Sequence, residues 1–191
     1  MTQEDVAARM NVSRMPVLQA LQLLRKDGFV HDAPGRGVLV APLDADWTAK
    51  LYEVRGALDS LAARLAAARR VRLDPEMLKT GRRMAKSGAV KDMIDADMHF
   101  HLAIYRASGN PLIEESARLH WAHLRRVMGA VLSTTRQRTT IWDEHQAIAD
   151  AIAEGAVQRA GKLADVHAEN ASGNLVSRLS RVLAVPEKAG A

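Results

Sequence analysis

The chain of 191 residues is long enough for one large domain or two small ones, each with its own hydrophobic core. Its 48% hydrophobic and 26% charged residues are typical of a globular protein, and the lack of cysteine excludes disulfides and thiolate metal sites. Any metal must therefore be bound through nitrogen and oxygen. The net charge of +5 suits a polyanionic partner, but it does not locate a nucleic-acid-binding surface.

The start of the chain is polar and acidic, without the basic and apolar stretches of an export signal. The apolar runs all fall short of the roughly 20 residues that a membrane-spanning helix requires. We therefore expect a protein without a membrane segment that works in the cytoplasm.

The first 43 residues are predicted to form two short helices followed by a β-hairpin. Thr2, with a carboxylate three residues later, predicts the start of the first helix, and Ser13 predicts the start of the second. Two β-prone runs, at residues 29–32 and 38–40, flank a turn rich in glycine and proline, which predicts a hairpin. Helix, tight turn, helix and hairpin is the order of elements in a winged helix-turn-helix domain.

In such a domain the second helix enters the major groove with its first residues, and the hairpin lies against the neighbouring backbone. The side chains of Arg14 and Arg36 are therefore predicted to contact a base or phosphate and the DNA backbone, respectively. The alternative is a structural helix pair whose arginines are merely solvated. The full set of predicted DNA-binding residues is Ser13, Arg14, Met15, Pro16, Gln19 and Arg36.

Three segments of this region resemble the GntR family of bacterial regulators: VSRMPVLQAL at 12–21, LLRKDGFV at 23–30 and PGRGVLV at 34–40. The family has arginine and glutamate where this chain has Leu18 and Gln19, so one expected DNA contact is missing and the operator is expected to differ. The chain also begins where the family's second helix begins. This leaves two interpretations: a start assigned too late, or a truncated and weakened DNA-binding domain whose first helix is absent.

Beyond a short linker, the hydrophobic period is helical throughout. Asp74-Pro75 and Asn110-Pro111 each place a capping residue before a proline at the first helical position. The predicted fold is mainly α, with an incomplete winged helix-turn-helix in residues 1–43 and an all-helical domain of about six helices in residues 46–184. The predicted helices span residues 46–70, 75–87, 90–108, 111–134, 140–153 and 156–183.

Four ionisable residues of this second domain occupy positions where the helical period requires apolar side chains: Asp97, His101, His145 and His167. A buried carboxylate without a partner costs on the order of several kcal/mol. The turn at residues 154–155 makes the last two helices antiparallel, with His145 about 10 residues before it and His167 about 12 after it, so the two histidines lie at similar heights.

One carboxylate and three imidazoles are typical of a site for a divalent metal ion, zinc in the first place, with nickel, manganese and iron as alternatives. The competing interpretation is a set of core residues that satisfy one another. The remaining histidines of this region, His99, His120 and His123, fit none of these apolar faces, and we expect them at the surface or at an interface.

This region resembles the FCD (FadR C-terminal) ligand-binding domain that accompanies GntR heads, through DMHFH at 97–101, SGN at 108–110, EHQAI at 144–148 and HAEN at 167–170. The resemblance implies that Asp97, His101, His145 and His167 are the metal ligands, in the metal-binding rather than the fatty-acyl branch. The opening helix matches as well, with Asp59 where the family has glutamate.

The resemblance also implies an arginine that holds the carboxylate of an effector, for which Arg55 is the candidate; the alternative is a surface or interhelical salt bridge. Asn170 either orients the ligand or caps a polar patch. The implied function is a homodimeric regulator, in the usual case a repressor, whose binding to operator DNA is controlled by a small organic acid. The alternatives are a metal-dependent sensor without DNA binding and a metalloenzyme, and we expect no enzyme.

Overall fold

The computed structural model describes residues 1–87, 89–133 and 140–184. The contacts within the chain divide it into two compact units, Met1–Leu43 and Asp44–Ala191. Within the described residues, no helix is both long enough and apolar enough to cross a membrane.

The N-terminal unit contains the predicted helix pair and hairpin. Thr2 caps α1 in a capping box, in which its hydroxyl accepts from the Asp5 amide and the Asp5 carboxylate accepts from the Thr2 amide. The strands pair antiparallel, with Val30 opposite Val40. The elements are α1 (Gln3–Met10), α2 (Arg14–Lys26), β1 (Val30–Asp32) and β2 (Val38–Val40).

The core of this unit is small, and the hairpin closes tightly on the start of the chain. Gly37 has a φ of +100°, and a Cβ at this position would lie 2.4 Å from the carbonyl oxygen of Met1. The same Met1 carbonyl accepts a hydrogen bond from the Val38 amide at 2.9 Å. Only glycine therefore fits position 37. The buried hydrophobic residues of the unit are Ala7, Val17, Leu21, Val30 and Val38.

Helices are the only regular elements among the described residues of the second unit, which confirms the mainly α fold with a six-helix domain. The observed helix ends lie within two residues of the predicted ones, except that residue 134, the predicted end of the fourth helix, is outside the described residues. The Asn110 side chain caps α6 by accepting from the Leu112 amide at 3.1 Å. The helices are α3 (Ala45–Ala68), α4 (Pro75–Ser87), α5 (Val90–Ala107), α6 (Pro111–Leu132), α7 (Ile141–Glu154) and α8 (Val157–Ala184).

Helix α3 is the central element of this bundle. It packs against α5, α6 and α7, and most extensively against α8. The approach to α8 is close because the contact residues are small: a Cβ at Gly56 would lie 3.1 Å from the Cβ of Ala168. The inward faces of α3, α5, α7 and α8 therefore converge on one point in the bundle, where the predicted polar residues lie.

Candidate functional site

The four predicted metal ligands lie together in the centre of the helical bundle. Asp97 and His101 come from α5, His145 from α7 and His167 from α8. Each residue is at most 2% exposed. The expectation that these polar residues point inward is therefore confirmed.

The donor atoms of these residues converge. One ring nitrogen from each of the three histidines lies within 4.8 Å of the other two. The Nε2 atoms of His145 and His167 are 3.3 Å apart, and Asp97 Oδ1 lies 3.6 Å from His145 Nε2. Asp97 Oδ1 is buried and accepts no hydrogen bond from the residues that the structure describes. Such a buried acceptor is costly by itself but is well suited to face a cation.

Two further carboxylates contact the outer nitrogens of the cluster. Glu144 Oε2 lies 2.8 Å from Nδ1 of His167, and Asp59 Oδ2 lies 3.4 Å from Nδ1 of His101. A carboxylate at Nδ1 favours the proton on that nitrogen and leaves the Nε2 lone pair directed into the cluster. This is the arrangement of carboxylates behind histidines in protein metal sites.

Sequence reasoning missed both of these roles. Asp59 was noted only as a departure from the family's glutamate, although it lies one turn after Arg55 on the inward face of α3. Glu144 lies in the acidic first turn of α7, where a carboxylate ordinarily serves the helix dipole. Its position directly before His145 is the signal that could have singled it out.

Arg55 is buried at the edge of the cluster, with 1% of its surface exposed. Its guanidinium carbon lies 4.1 Å from the ring centre of Trp121, and its Nε lies 3.2 Å from Asp59 Oδ2. Its Nη2 donates to Nε2 of His101 at 2.7 Å. Arg55 therefore forms a salt bridge, but the pair is buried and lies within α3, rather than at the surface or between helices as the alternative expected.

Electrostatics keep this pair charged and His101 neutral. Burial alone opposes ionisation of Asp59, but Arg55 and His101 outweigh it and hold the pKa of Asp59 well below its usual range. Burial, and after it the positive charge of Arg55, lower the pKa of His101. Burial and the neighbouring Asp59, which accepts a short hydrogen bond from the phenol of Tyr105, raise the pKa of Tyr105. A neutral imidazole is the form that binds a metal.

Aromatic rings enclose the cluster. Phe100 stacks on His145 with ring centres 4.0 Å apart, and Trp142 meets the same ring edge-on at 4.6 Å. Together with Trp121 beside Arg55, these rings exclude water and strengthen the electrostatic interactions among the polar groups.

The remaining predicted residues of this domain have mixed outcomes. Asn170 is exposed, and its Nδ2 donates to Glu144 Oε1 at 3.3 Å, so it lies behind the cluster rather than in it. His99 is exposed and His120 is half-buried. The surface expectation is wrong for His123, which is 9% exposed, because α6 buries a wider arc than its sequence pattern indicated.

The predicted DNA-binding residues lie on the surface of the N-terminal unit. Ser13 is the N-cap residue of α2 but makes no side-chain capping bond, and Arg14 pairs with Glu4 at 3.3 Å with 71% of its side chain exposed. Arg36 is exposed in the turn of the hairpin. Met15, Pro16 and Gln19 are exposed along the same end of α2. One end of α2 and the tip of the hairpin are therefore exposed.

Comparison with known protein families accounts for both units. The FCD domain matches residues 50–170, and the family described as bacterial regulatory proteins of the gntR family matches residues 1–40. The chain belongs to the GntR family of regulators with an FCD domain. Both sequence resemblances are confirmed by these matches.

Two curated relatives are similar to this GntR regulator. An HTH-type transcriptional regulator in an unstable DNA locus of Streptomyces ambofaciens is 29% identical over 82% of the chain and 67% of its own length. The Nta operon transcriptional regulator of Aminobacter aminovorans is 29% identical over 60% of the chain and 56% of its own length. The chain thus spans about two thirds of the first relative and just over half of the second.

Solved structures show the same fold. A GntR regulator from Rhodococcus sp. RHA1 superposes with a TM-score of 0.73 at 25% identity, over 93% of this chain and 86% of that one. E. coli McbR/YncC superposes with a TM-score of 0.78 at 17% identity, over 93% and 87% of the two chains. These relatives are transcription regulators rather than enzymes, in agreement with the expectation for this GntR regulator.

Proposed function

We propose that this protein is a homodimeric repressor that works in the cytoplasm and releases its operator when a small carboxylate binds at a metal centre in the FCD domain. The observation that carries the proposal is the convergence of three buried imidazoles with Asp97 Oδ1, a buried acceptor that receives no hydrogen bond within the described part of the chain. The dimer places two DNA-binding heads on a palindromic operator, with half-sites about one helical turn apart.

The donor set supports a divalent metal ion. His101, His145 and His167 supply nitrogen and Asp97 supplies oxygen, which suits zinc first, then nickel, manganese or iron. A cation at this point offsets the cost of burying four polar side chains in an apolar bundle. When bound, the metal supplies an open position for a carboxylate oxygen of the effector.

Arg55 is the proposed effector-binding cation. His101 Nε2 accepts a hydrogen bond from Arg55 at 2.7 Å. To bind a metal, His101 must use the same lone pair, so the hydrogen bond and metal binding exclude each other. Arg55 Nη2 then needs a new acceptor, and the carboxylate of an effector supplies one. A direct contact from Asn170 to the effector stays a prediction, because its amide is engaged by Glu144.

The DNA contacts are proposed for the exposed end of α2 and the hairpin tip. Arg14 reads a guanine or clamps a phosphate, Ser13 and the helix amides bind phosphate, and Arg36 reaches the backbone. Met15, Pro16 and Gln19 complete the contact surface. Because effector binding differs in strength between two arrangements of the dimer, it changes the affinity for DNA.

The metal centre is tested by calorimetric titration of chelator-treated protein with zinc, beside elemental analysis of the protein as purified. We expect one ion per chain, and loss of most of the zinc affinity in His167→Ala. His99→Ala is the matched control: His99 is exposed on α5, two residues before His101, and this variant should bind zinc normally. Full metal content in His167→Ala would count against the centre.

The regulatory role is tested by electrophoretic shift of a DNA fragment that covers the promoter of its own operon. Arg14→Ala should weaken binding by about tenfold to a hundredfold, and Arg159→Ala, an exposed residue of α8, should not. A panel of hydroxy acids, sugar acids and dicarboxylates is then added to the metal-loaded complex. Failure of the native protein to shift any fragment would favour a metal-dependent sensor without DNA binding.

A further inference from the structure

Helix α3 carries an exposed apolar face on the side opposite its buried arc. Trp47 is 54% exposed, Val54 49% and Leu61 37%. These three residues are spaced seven apart, which places them on one face of the helix. The half-buried Leu58 and Leu65 lie along the same line. We call these five residues the α3 stripe.

We propose that the α3 stripe is a dimer contact in which α3 packs antiparallel against α3 of a second copy, across a two-fold axis at Val54. The inference rests on the proposed homodimer and names its surface. Large apolar side chains that stay exposed in a contiguous line mark an interaction surface on a soluble protein. A period of seven residues favours another helix as the occupant of that surface.

The three exposed residues of the stripe are self-complementary, which indicates a second copy as the partner. Trp47 lies seven residues before Val54 and Leu61 lies seven residues after it. A two-fold axis at Val54 therefore places Val54 against its own copy and Trp47 of each chain against Leu61 of the other. The large indole meets the smaller leucine on both sides of the axis, which is the reciprocal pattern of an isologous interface.

The charges beside the stripe favour the antiparallel orientation. Asp46 and Arg64 are 18 residues apart, about five full turns, so they lie on the same flank of α3. Neither residue has an ion-pair partner within the part of the chain that the structure describes. Antiparallel packing brings Asp46 of each chain near Arg64 of the other, whereas parallel packing leaves the two positions about 27 Å apart along the helix pair.

The lack of cysteine makes disulfide trapping a direct test of this geometry. A single Val54→Cys variant carries its only thiol on the proposed axis, where the two Cβ atoms can approach the roughly 4 Å that a disulfide requires. We expect mild oxidation to convert Val54→Cys to a covalent dimer on a non-reducing gel. Leu112→Cys tests a competing surface, because Leu112 is 63% exposed on α6. This variant should stay largely monomeric on the gel.

Orientation is tested with Trp47→Cys and Leu61→Cys. In the antiparallel pair the two copies of position 47 are separated by about 21 Å along the helix, so neither variant should cross-link alone. A mixture of the two variants, exchanged before oxidation, should give a covalent dimer. Cross-linking of each variant alone would indicate parallel packing and overturn the proposed axis.

Sedimentation equilibrium separates failure of the surface from failure of the dimer. Val54→Glu should weaken the native dimer by about tenfold or more, whereas Val166→Glu, at a 37% exposed position of α8, should not. If Val54→Glu does not fold, the cysteine variants decide the question. A monomeric native protein contradicts the proposed homodimer itself. A native dimer in which Leu112→Cys cross-links and Val54→Cys does not contradicts the α3 stripe alone.

Discussion

The two units of this regulator place their functional residues in opposite environments. The N-terminal head has a core of five buried hydrophobic residues, and its proposed DNA-binding side chains are exposed. The helical bundle instead buries its functional groups, with Asp97 and three histidines at most 2% exposed among apolar neighbours. In the head, contact with a partner and stability of the fold therefore depend on different residues. In the bundle they depend on the same ones.

The buried pair of Arg55 and Asp59 should give the largest effect. Asp59→Ala leaves the guanidinium without its counter-ion in the bundle, and we expect the free energy of unfolding to fall by about 3–5 kcal/mol. Urea denaturation followed by circular dichroism measures this loss. The matched control is Asp143→Ala, which removes an exposed partner of Arg82 and should cost about 1 kcal/mol or less. Equal losses of unfolding free energy in the two variants would contradict the prediction that the buried ion pair matters more than the exposed one.

A core substitution in the head comes next. Leu21→Ala should cost about 2–5 kcal/mol, which is a large share of the stability of a unit of this size. Amide hydrogen exchange should then show lost protection in α1 and α2 and retained protection in α5 and α7. Leu23→Ala is the control, because Leu23 is 62% exposed on the same helix. Loss of protection in the bundle as well would mean that the two units do not unfold independently.

The smallest expected effect concerns the carboxylate behind His167. Glu144→Gln should reduce zinc affinity by about tenfold to a hundredfold, because a neutral amide oxygen favours the proton on Nδ1 of His167 less strongly than the carboxylate does. Competition with a chromogenic chelator measures the affinity. Glu144→Asp should recover part of it, and the exposed Asp143→Asn should retain it. Normal zinc affinity in Glu144→Gln would show that Glu144 does not contribute to metal binding.

Local signals in the sequence predicted most of the fold. Capping residues such as Thr2 and Asn110 mark helix starts because their side chains bond to backbone amides within the same few residues. The inward positions of His101, His145 and His167 were predictable as well, because they follow from the spacing of residues within each helix. Both signals depend on the chain within one or two turns, where sequence distance and spatial distance agree.

The surroundings of the candidate site were harder to predict. The contact of Asp59 with Tyr105 and His101 joins α3 to α5 across 42 to 46 residues, and the contact of Glu144 with His167 joins α7 to α8. Such contacts depend on how helices rotate against one another, which no local pattern encodes. The burial of His123 has the same origin, since α6 is covered on more than one side.

The placement of the tryptophans gives the bundle an optical reporter. The indole of Trp121 lies against Arg55 and that of Trp142 against His145, whereas Trp47 is exposed on α3. All three tryptophans of the chain are in the bundle. A change at the histidine cluster should therefore alter the intrinsic emission of two buried indoles, while association of two chains through α3 should alter that of the third. Ligand uptake and assembly are then distinguishable without an added label.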